Sequence, residues 1–230
     1  MFETAVSDGV LQARAPGARW LLTGWNGGYA DSDAVYNVTV PDGWDRTDLQ
    51  AYAAERRTAA GFDTPGPALL TGVEMRHAAG AEIDGVRAVA TAGLSNPAAL
   101  PLDPDGRDTA DLEAHPDPGT INLLVGTDRA LADGTLATLL ATVVEAKTAT
   151  VQSMTGFTGT TSDAVAVGTD PAGAPAEFAG SATAVGDAAR SAVRRAVRDS
   201  LASRETPPPE SVSQADSGSI TNREADAFDP

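Results

Sequence analysis

The sequence predicts an α+β fold: mixed or antiparallel sheet layers packed with about three helices, followed by a disordered C-terminal tail. Short apolar runs bounded by Gly, Pro, Asn and Asp recur through the first half and read as strands. Only three segments carry helical composition or periodicity. Strands and helices do not alternate regularly, which favours an α+β sandwich over a doubly wound sheet.

Taken in order, Val10-Leu11-Gln12-Ala13, Trp20-Leu21-Leu22 and Ala34 to Val40 read as strands, separated by the turn Ala15-Pro16-Gly17 and the loop Gly24-Trp25-Asn26-Gly27-Gly28. Asp48 to Ala60 has helical composition, with Asp45 or Thr47 as N-cap and Gly61 as stop. Strands follow at Ala68 to Val73 and Val86 to Ala92. Prolines and aspartates dominate from Leu100 to Gly119, as in an acidic surface insertion. Thr120 to Val125 reads as a strand ending in a hairpin-like turn. The clearest helix runs from about Asp133 to Met154, because Leu136, Leu139, Leu140, Val143 and Val144 fall on one face. Asp163 to Val167 is a further strand, and Ser181 to Leu201 a final amphipathic helix. The organisation expected is one domain over 1–203 and a disordered, Pro-rich acidic tail over 204–230, where Pro207-Pro208-Pro209 opens a polar stretch without period.

Composition narrows the function classes. Of 230 residues, 42% are hydrophobic, enough for a sizeable core. Sixteen Lys and Arg face 32 Asp and Glu, a net charge of −16, and Lys147 is the only lysine. Scattered carboxylates with almost no lysine suit a salt-loaded cytosol, where screening is nearly complete and carboxylates hold water and cations. Nucleic-acid binding is disfavoured, since Arg190, Arg194, Arg195 and Arg198 read as a helix face rather than a basic stripe among aromatics. The absence of cysteine excludes disulfides and thiolate chemistry, and with two histidines, His77 and His115, a His-rich metal site is not available. No segment approaches the roughly 18 apolar residues of a membrane span, and the N-terminus lacks a signal-like run, so a cytoplasmic protein is expected.

The most informative stretch is Thr155 to Val167, where hydroxyls, glycines and Asp163 crowd into a turn before an apolar strand. Glycines let backbone approach a ligand, while Thr and Ser supply donors, acceptors or a nucleophile. A plain turn accounts for the same residues.

Read in order, several segments resemble the adenosylcobinamide amidohydrolase family, haloarchaeal type. They are Trp25-Asn26-Gly27-Gly28, Asn37-Val38-Thr39-Val40-Pro41, Thr71-Gly72-Val73-Glu74-Met75, Thr91 to Pro97, Gly119-Thr120-Ile121-Asn122, Glu145-Ala146-Lys147-Thr148-Ala149 and Thr158 to Ala164. The resemblance implies hydrolysis of the amide joining aminopropanol to a corrin propionate, converting adenosylcobinamide to adenosylcobyric acid in corrinoid salvage for cobalamin biosynthesis. The corrinoid is then substrate, with no cofactor, and a homo-oligomer is compatible with the sequence. The ring's several primary amides would have to be told from its one secondary amide by position.

Such a hydrolysis needs a nucleophile, a base, donors for the tetrahedral oxyanion and an acid for the leaving amine. Glu74, emerging after an apolar strand, is the first candidate base, against a solvated or capping role. Asp163 could orient a base or hold a turn; Thr158, Thr160 and Ser162 are candidate nucleophile or oxyanion donors. Lys147 could supply an ammonium able to lose a proton. Asn26, Asn37, Asn96 and Asn122 match amides; Ser95-Asn96 precedes Pro97, which fixes an extended turn, and Thr120 and Asn122 share one side of a strand. His77 reads as incidental and His115 is discounted. The alternatives are a corrinoid carrier without turnover and a metal-dependent hydrolase built from Glu74, Glu145 and Asp163, although no ligand spacing argues for a metal.

Overall fold

The computed structural model describes residues 1–41, 43–102 and 120–229. In chain order the strands and helices are β1 (Glu3–Ser7), β2 (Val10–Arg14), β3 (Arg19–Leu22), β4 (Gly28–Asp31), β5 (Ala34–Thr39), α1 (Leu49–Ala59), β6 (Ala68–Thr71), β7 (Ala79–Ile83), β8 (Val86–Ala92), β9 (Pro97–Ala99), β10 (Ile121–Ala130), α2 (Asp133–Thr155), β11 (Gly159–Thr160), β12 (Ala164–Pro175), α3 (Ala184–Ala202) and β13 (Ser219–Ile220). Short 3-10 turns lie at Met75–His77 and Val212–Gln214.

One sheet has the order β1-β2-β5-β6, a second β4-β3-β12-β10-β8-β7, and a small third β11-β9-β13. Parallel pairs are β5 with β6, β10 with β12 and β9 with β13; the rest are antiparallel, so both large sheets are mixed.

The layering follows from the two-residue side-chain period of the strands. Along β5, Tyr36 and Val38 pack with Tyr52 and Ala53 of α1, while Val35 turns to the opposite face and joins Leu11, Trp20, Leu69, Leu124 and Ala166 between the sheets. Along β10, Leu124 enters that inter-sheet layer and Ile121, Leu123 and Val125 pack against α2 and α3. The molecule is therefore α1, first sheet, second sheet, then α2 with α3. The apolar run Ile121 to Val125, interrupted only by Asn122, reflects a strand covered on both faces.

Two glycines make the inter-sheet layer fit. Gly126 and Gly168 are register partners on β10 and β12. A Cβ on Gly126 would lie 2.7 Å from the Phe2 ring, and one on Gly168 2.6 Å from the Trp20 ring. The two rings stand 6.1 Å apart in a tilted pair.

The helices match their periodicity. Helix α3 starts at Ala184 rather than Ser181, because Thr183 Oγ1 accepts the Gly186 N–H at 3.1 Å and caps the first turn. In α1 the N-cap position falls to Asp48, not Asp45 or Thr47, while Gly61 supplies the expected left-handed stop at φ 82°.

Two expectations are corrected. No hairpin follows Val125: β10 continues to Ala130 because β12 runs beside it as far as the pairs Arg129 with Ala174 and Ala130 with Pro175. The segment after Ser203 is not a structureless tail over its described length. Val212 is buried in the helix-side core and Ile220 packs against it, while β13 adds a strand to β9. Isolated apolar residues anchor it without any sequence period. The insertion read over Leu100 to Gly119 lies, from residue 103, outside the described residues, as does His115.

Candidate functional site

At one end of the inter-sheet layer the packing turns from apolar to polar. Asn37 shares its face of β5 with Val35 and meets β8 and β10 across the layer: its Nδ2 donates to Thr91 Oγ1 at 2.8 Å, and its Oδ1 accepts from Asn122 Nδ2 at 2.8 Å. The Asn122 amide also donates to the Leu70 carbonyl at 2.9 Å, and Thr120 Oγ1 lies 3.3 Å from Asn122 Oδ1. All four side chains are buried, so each polar atom has to be matched within the protein. Thr120 and Asn122 share one side as the spacing predicts, and Thr120 also donates to the Ser162 carbonyl at 2.8 Å.

That bond leads into the turn from Thr158 to Asp163, between α2 and β12. Asp163 collects four donors. Oδ1 accepts from the Ile121 N–H at 3.1 Å, the Thr160 N–H at 3.2 Å and the Thr160 hydroxyl at 2.5 Å; Oδ2 accepts from the Lys147 ammonium. The Lys147 and Asp163 side chains are only 8% and 14% exposed, so the pair is a nearly buried charge couple between the middle of α2 and the start of β12. Its seat is Gly159, where a Cβ would lie 2.3 Å from Asp163 Oδ2 and 2.6 Å from Lys147 Nζ, at φ 155°.

The other wall is the segment joining β8 to β9. Asn96 Nδ2 donates to Thr161 Oγ1 at 2.8 Å and Ser162 Oγ at 3.3 Å, and its carbonyl accepts the Thr161 N–H at 3.2 Å. Asn96 Oδ1 is buried with no hydrogen-bond partner among the described residues. Thr158 directs both its N–H and its hydroxyl to the Ala98 carbonyl, at 2.9 and 3.0 Å, which ties the turn to β9. Thr161 and Ser162 are exposed and Ser95 half-buried, so this junction is where the network reaches solvent.

The structure thus gathers Asn37, Asn96, Thr120, Asn122, Lys147, Thr158, Thr160, Ser162 and Asp163 into one connected region, with Ser95 on its surface. It does not gather Asn26. That residue is exposed in the β3–β4 loop at φ 53° and contacts Gln50 at 3.4 Å, lining a separate hollow beside α1 with Trp25 and Arg57. A loop rich in glycine and Asn resembles a binding loop, but here Asn26 serves a left-handed turn position. Glu74 is also outside the hydrogen-bonded cluster: it precedes the Met75–His77 turn and pairs with the exposed Arg76 at 3.1 Å. Sequence reading did not single out Thr91, although it opens the family-like stretch Thr91 to Pro97, and it passed over the buried Thr71, whose Oγ1 accepts the Val73 N–H at 3.0 Å.

Beside Glu74, His77 is buried and engaged at both ring nitrogens. Nδ1 lies 3.0 Å from Ser203 Oγ and Nε2 accepts from Arg76 Nε at 3.2 Å. Burial first, then the charges of Arg204 and Arg76, hold its pKa below the ordinary imidazole value. The three carboxylates of the metal reading do not converge: Glu74 pairs with Arg76, Glu145 with Arg190 and Asp163 with Lys147. No group of three or more His, Asp or Glu able to hold a metal occurs among the described residues.

Comparison with known proteins gives one family. A model described as adenosylcobinamide amidohydrolase matches residues 2–208. An adenosylcobinamide amidohydrolase of Halobacterium salinarum is 52% identical over 232 residues, covering 100% of both chains. One of Methanosarcina mazei is 30% identical over 146 residues, 63% of this chain and 66% of that protein. Among solved structures, the PH0078 protein of Pyrococcus horikoshii overlays 90% of this chain and 81% of its own with a TM-score of 0.45 and 11% identity. No described helix is long and apolar enough to cross a membrane.

Proposed function

The chain belongs to the adenosylcobinamide amidohydrolase family and hydrolyses the aminopropanol amide of adenosylcobinamide, giving adenosylcobyric acid and 1-aminopropan-2-ol in corrinoid salvage; from that premise we propose that the amide is cleaved where the Thr158–Asp163 turn meets Ser95-Asn96. The observation that carries this placement is the nearly buried Lys147–Asp163 pair, made by the sole lysine of a chain with net charge −16 and seated against Gly159. Taking such a pair out of water is costly, and surface-type salt adaptation does not call for it.

In this reading the Lys147 ammonium, one of whose three donors is held by Asp163, stabilises the oxyanion that forms as the amide carbonyl becomes tetrahedral. Asp163 holds Lys147 and the Thr160 hydroxyl in place. Thr160, Ser162 and Asn96 orient the reacting amide, and Asn37, Asn122 and Thr120 hold the floor beneath it. Glu74 follows Val73, whose side chain abuts Gly93 in the β8–β9 segment, and in this reading it serves as the base. It takes a proton from the attacking water and returns it to the departing nitrogen, so that one water is added across the C–N bond and no proton is left over. No metal takes part in this route, and Thr158 acts by fixing the turn. Asn26 is left out of the substrate-binding set.

The test is turnover of adenosylcobinamide in molar potassium chloride, read by mass analysis of both products, for the wild type and for Glu74→Gln, Lys147→Met and Thr160→Val with and without a chelator. Loss of product in Lys147→Met with retained folding supports the placement; full turnover in that variant overturns it.

A further inference from the structure

Of the half-buried arginines among the described residues, Arg19, Arg46, Arg56, Arg57, Arg87 and Arg190 each donate to a carboxylate or a backbone carbonyl. Arg204 has no side-chain acceptor among those residues. It stands just past the end of α3, where its guanidinium lies 4.0 Å from the place a Gly93 Cβ would occupy. In a chain with twice as many acidic as basic residues, Arg204 stands apart from these other half-buried arginines in having neither a carboxylate nor a carbonyl acceptor.

Arg204 lines a cavity of about 240 Å³ together with Leu94, Ser95, Leu201, Pro208 and Asp216. The C-terminal segment closes this cavity on one side, and Ser95 leads directly into Asn96 and its bonds to Thr161 and Ser162. Two buried polar atoms near these residues lack partners among the described residues: Asn96 Oδ1 and Ser217 Oγ. They lie just ahead of two neighbouring strands, one residue before the start of β9 and two before that of β13, a parallel pair with Ser219 opposite Ala98. A cavity whose lining carries an unpaired donor fork offers a place to a polar group of a ligand. Asp216 in the same lining opposes an anion, and the remaining wall is largely apolar, so the fitting group is a neutral one with an oxygen acceptor.

Resting on the proposed placement of the active site, we infer that Arg204 is a specificity-determining residue that receives a carbonyl oxygen of a primary carboxamide arm of the corrinoid, and that the segment from Arg204 to Ile220 forms a wall of the substrate site. A guanidinium fork fits a carbonyl lone-pair pair well, and an ammonium does so less. Holding one arm at a fixed distance from Lys147 sets which amide reaches the reacting position.

The experiment compares the full chain with Arg204→Gln, Arg204→Lys and, as a control for loss of one positive charge, Arg194→Gln on α3, which is exposed. Steady-state hydrolysis of adenosylcobinamide and an absorbance titration of the same corrinoid are measured in molar potassium chloride. The expected result is a KM and a Kd raised roughly tenfold or more in Arg204→Gln, with kcat within about twofold, a smaller rise in Arg204→Lys, and no change in Arg194→Gln. If Arg204→Gln does not fold, Arg204→Lys decides by the same split. Unchanged KM and Kd overturn the inference while leaving the hydrolase reading intact, and so does a fall in kcat at unchanged Kd. A wild type that binds the corrinoid without cleaving it fails the placement of the active site, yet a raised Kd in Arg204→Gln still supports the arm contact. A wild type that neither binds nor cleaves overturns both.

Discussion

The Lys147 ammonium and the Asp163 carboxylate meet inside the protein, joining the middle of α2 to the start of β12. Because Asp163 also accepts from Ile121 and Thr160, this one carboxylate fixes three chain segments at once. Removing one partner leaves the other buried and unpaired, which costs about 3–5 kcal/mol in comparable pairs. Lys147→Met and Asp163→Asn are therefore each expected to lower stability by that order in denaturant titrations. The double variant Lys147→Met/Asp163→Asn is expected to recover part of it, because no charge is then left alone. Equal losses that simply add would mean the two groups are not coupled.

Gly159→Ala is expected to be nearly as damaging as either. Its Cβ would lie 2.3 Å from Asp163 Oδ2, so the ion pair or the turn must move. A loss of about 1–3 kcal/mol with a disproportionate fall in turnover is predicted. By contrast Gly134→Ala, in the first turn of α2 with nothing within 4 Å of the new Cβ, should leave turnover unchanged and raise stability by up to about 1 kcal/mol.

The Asn37–Asn122 contact predicts a different pattern. Asn122→Ala strands Asn37 Oδ1 and the Leu70 carbonyl in a buried setting, for a loss of about 1–3 kcal/mol by thermal or chemical denaturation. Asn26→Ala, at an exposed side chain, is expected to leave turnover and KM unaltered, and a rise in KM there would return the β3–β4 loop to the substrate site.

His77 gives the pH dependence its sign. Its pKa in the folded protein is lowered, chiefly by burial and then by Arg204 and Arg76, so the unfolded chain binds the proton more readily. Its contribution to stability is then complete above the ordinary imidazole value of 6.5 and declines as the pH falls toward the lowered folded value. Denaturation midpoints measured down through pH 6 are expected to fall in the wild type and to fall less in His77→Gln. Protonation of Nε2 breaks the hydrogen bond that this nitrogen accepts from Arg76.

What the sequence made legible, and what it hid, follows from how each feature is built. The apolar face of α2 was readable because Leu136, Leu139 and Val143 repeat at helical spacing over many turns. The strands β1, β4 and β7 were not: Glu3–Ser7 is exposed throughout, Gly28–Asp31 is a short edge segment with no apolar alternation, and Ala79–Ile83 is an edge strand whose alternation rests on small alanines and a glycine. Thr120 and Asn122 could be placed on one side of a strand from spacing alone. The partners of Lys147 and Asn37 could not, since Asp163 is 16 residues away and Asn122 85, brought close only by the stacking of sheets and helices. That Asn26 stands apart from the cluster was not legible, because a left-handed turn and a ligand loop call for the same residue types. The C-terminal segment misled because Val212 and Ile220 are single anchors rather than members of a periodic face.

The most direct test of the account is turnover by Lys147→Met, purified in molar potassium chloride and confirmed folded by circular dichroism, with adenosylcobinamide as substrate and mass analysis of adenosylcobyric acid and 1-aminopropan-2-ol. The account predicts that the wild type forms both products in equal amounts and that the variant still binds the corrinoid but forms products at least about a hundredfold more slowly, as expected for loss of an oxyanion donor. Turnover in the folded variant at the wild-type rate would contradict it and move the chemistry away from the Lys147–Asp163 pair.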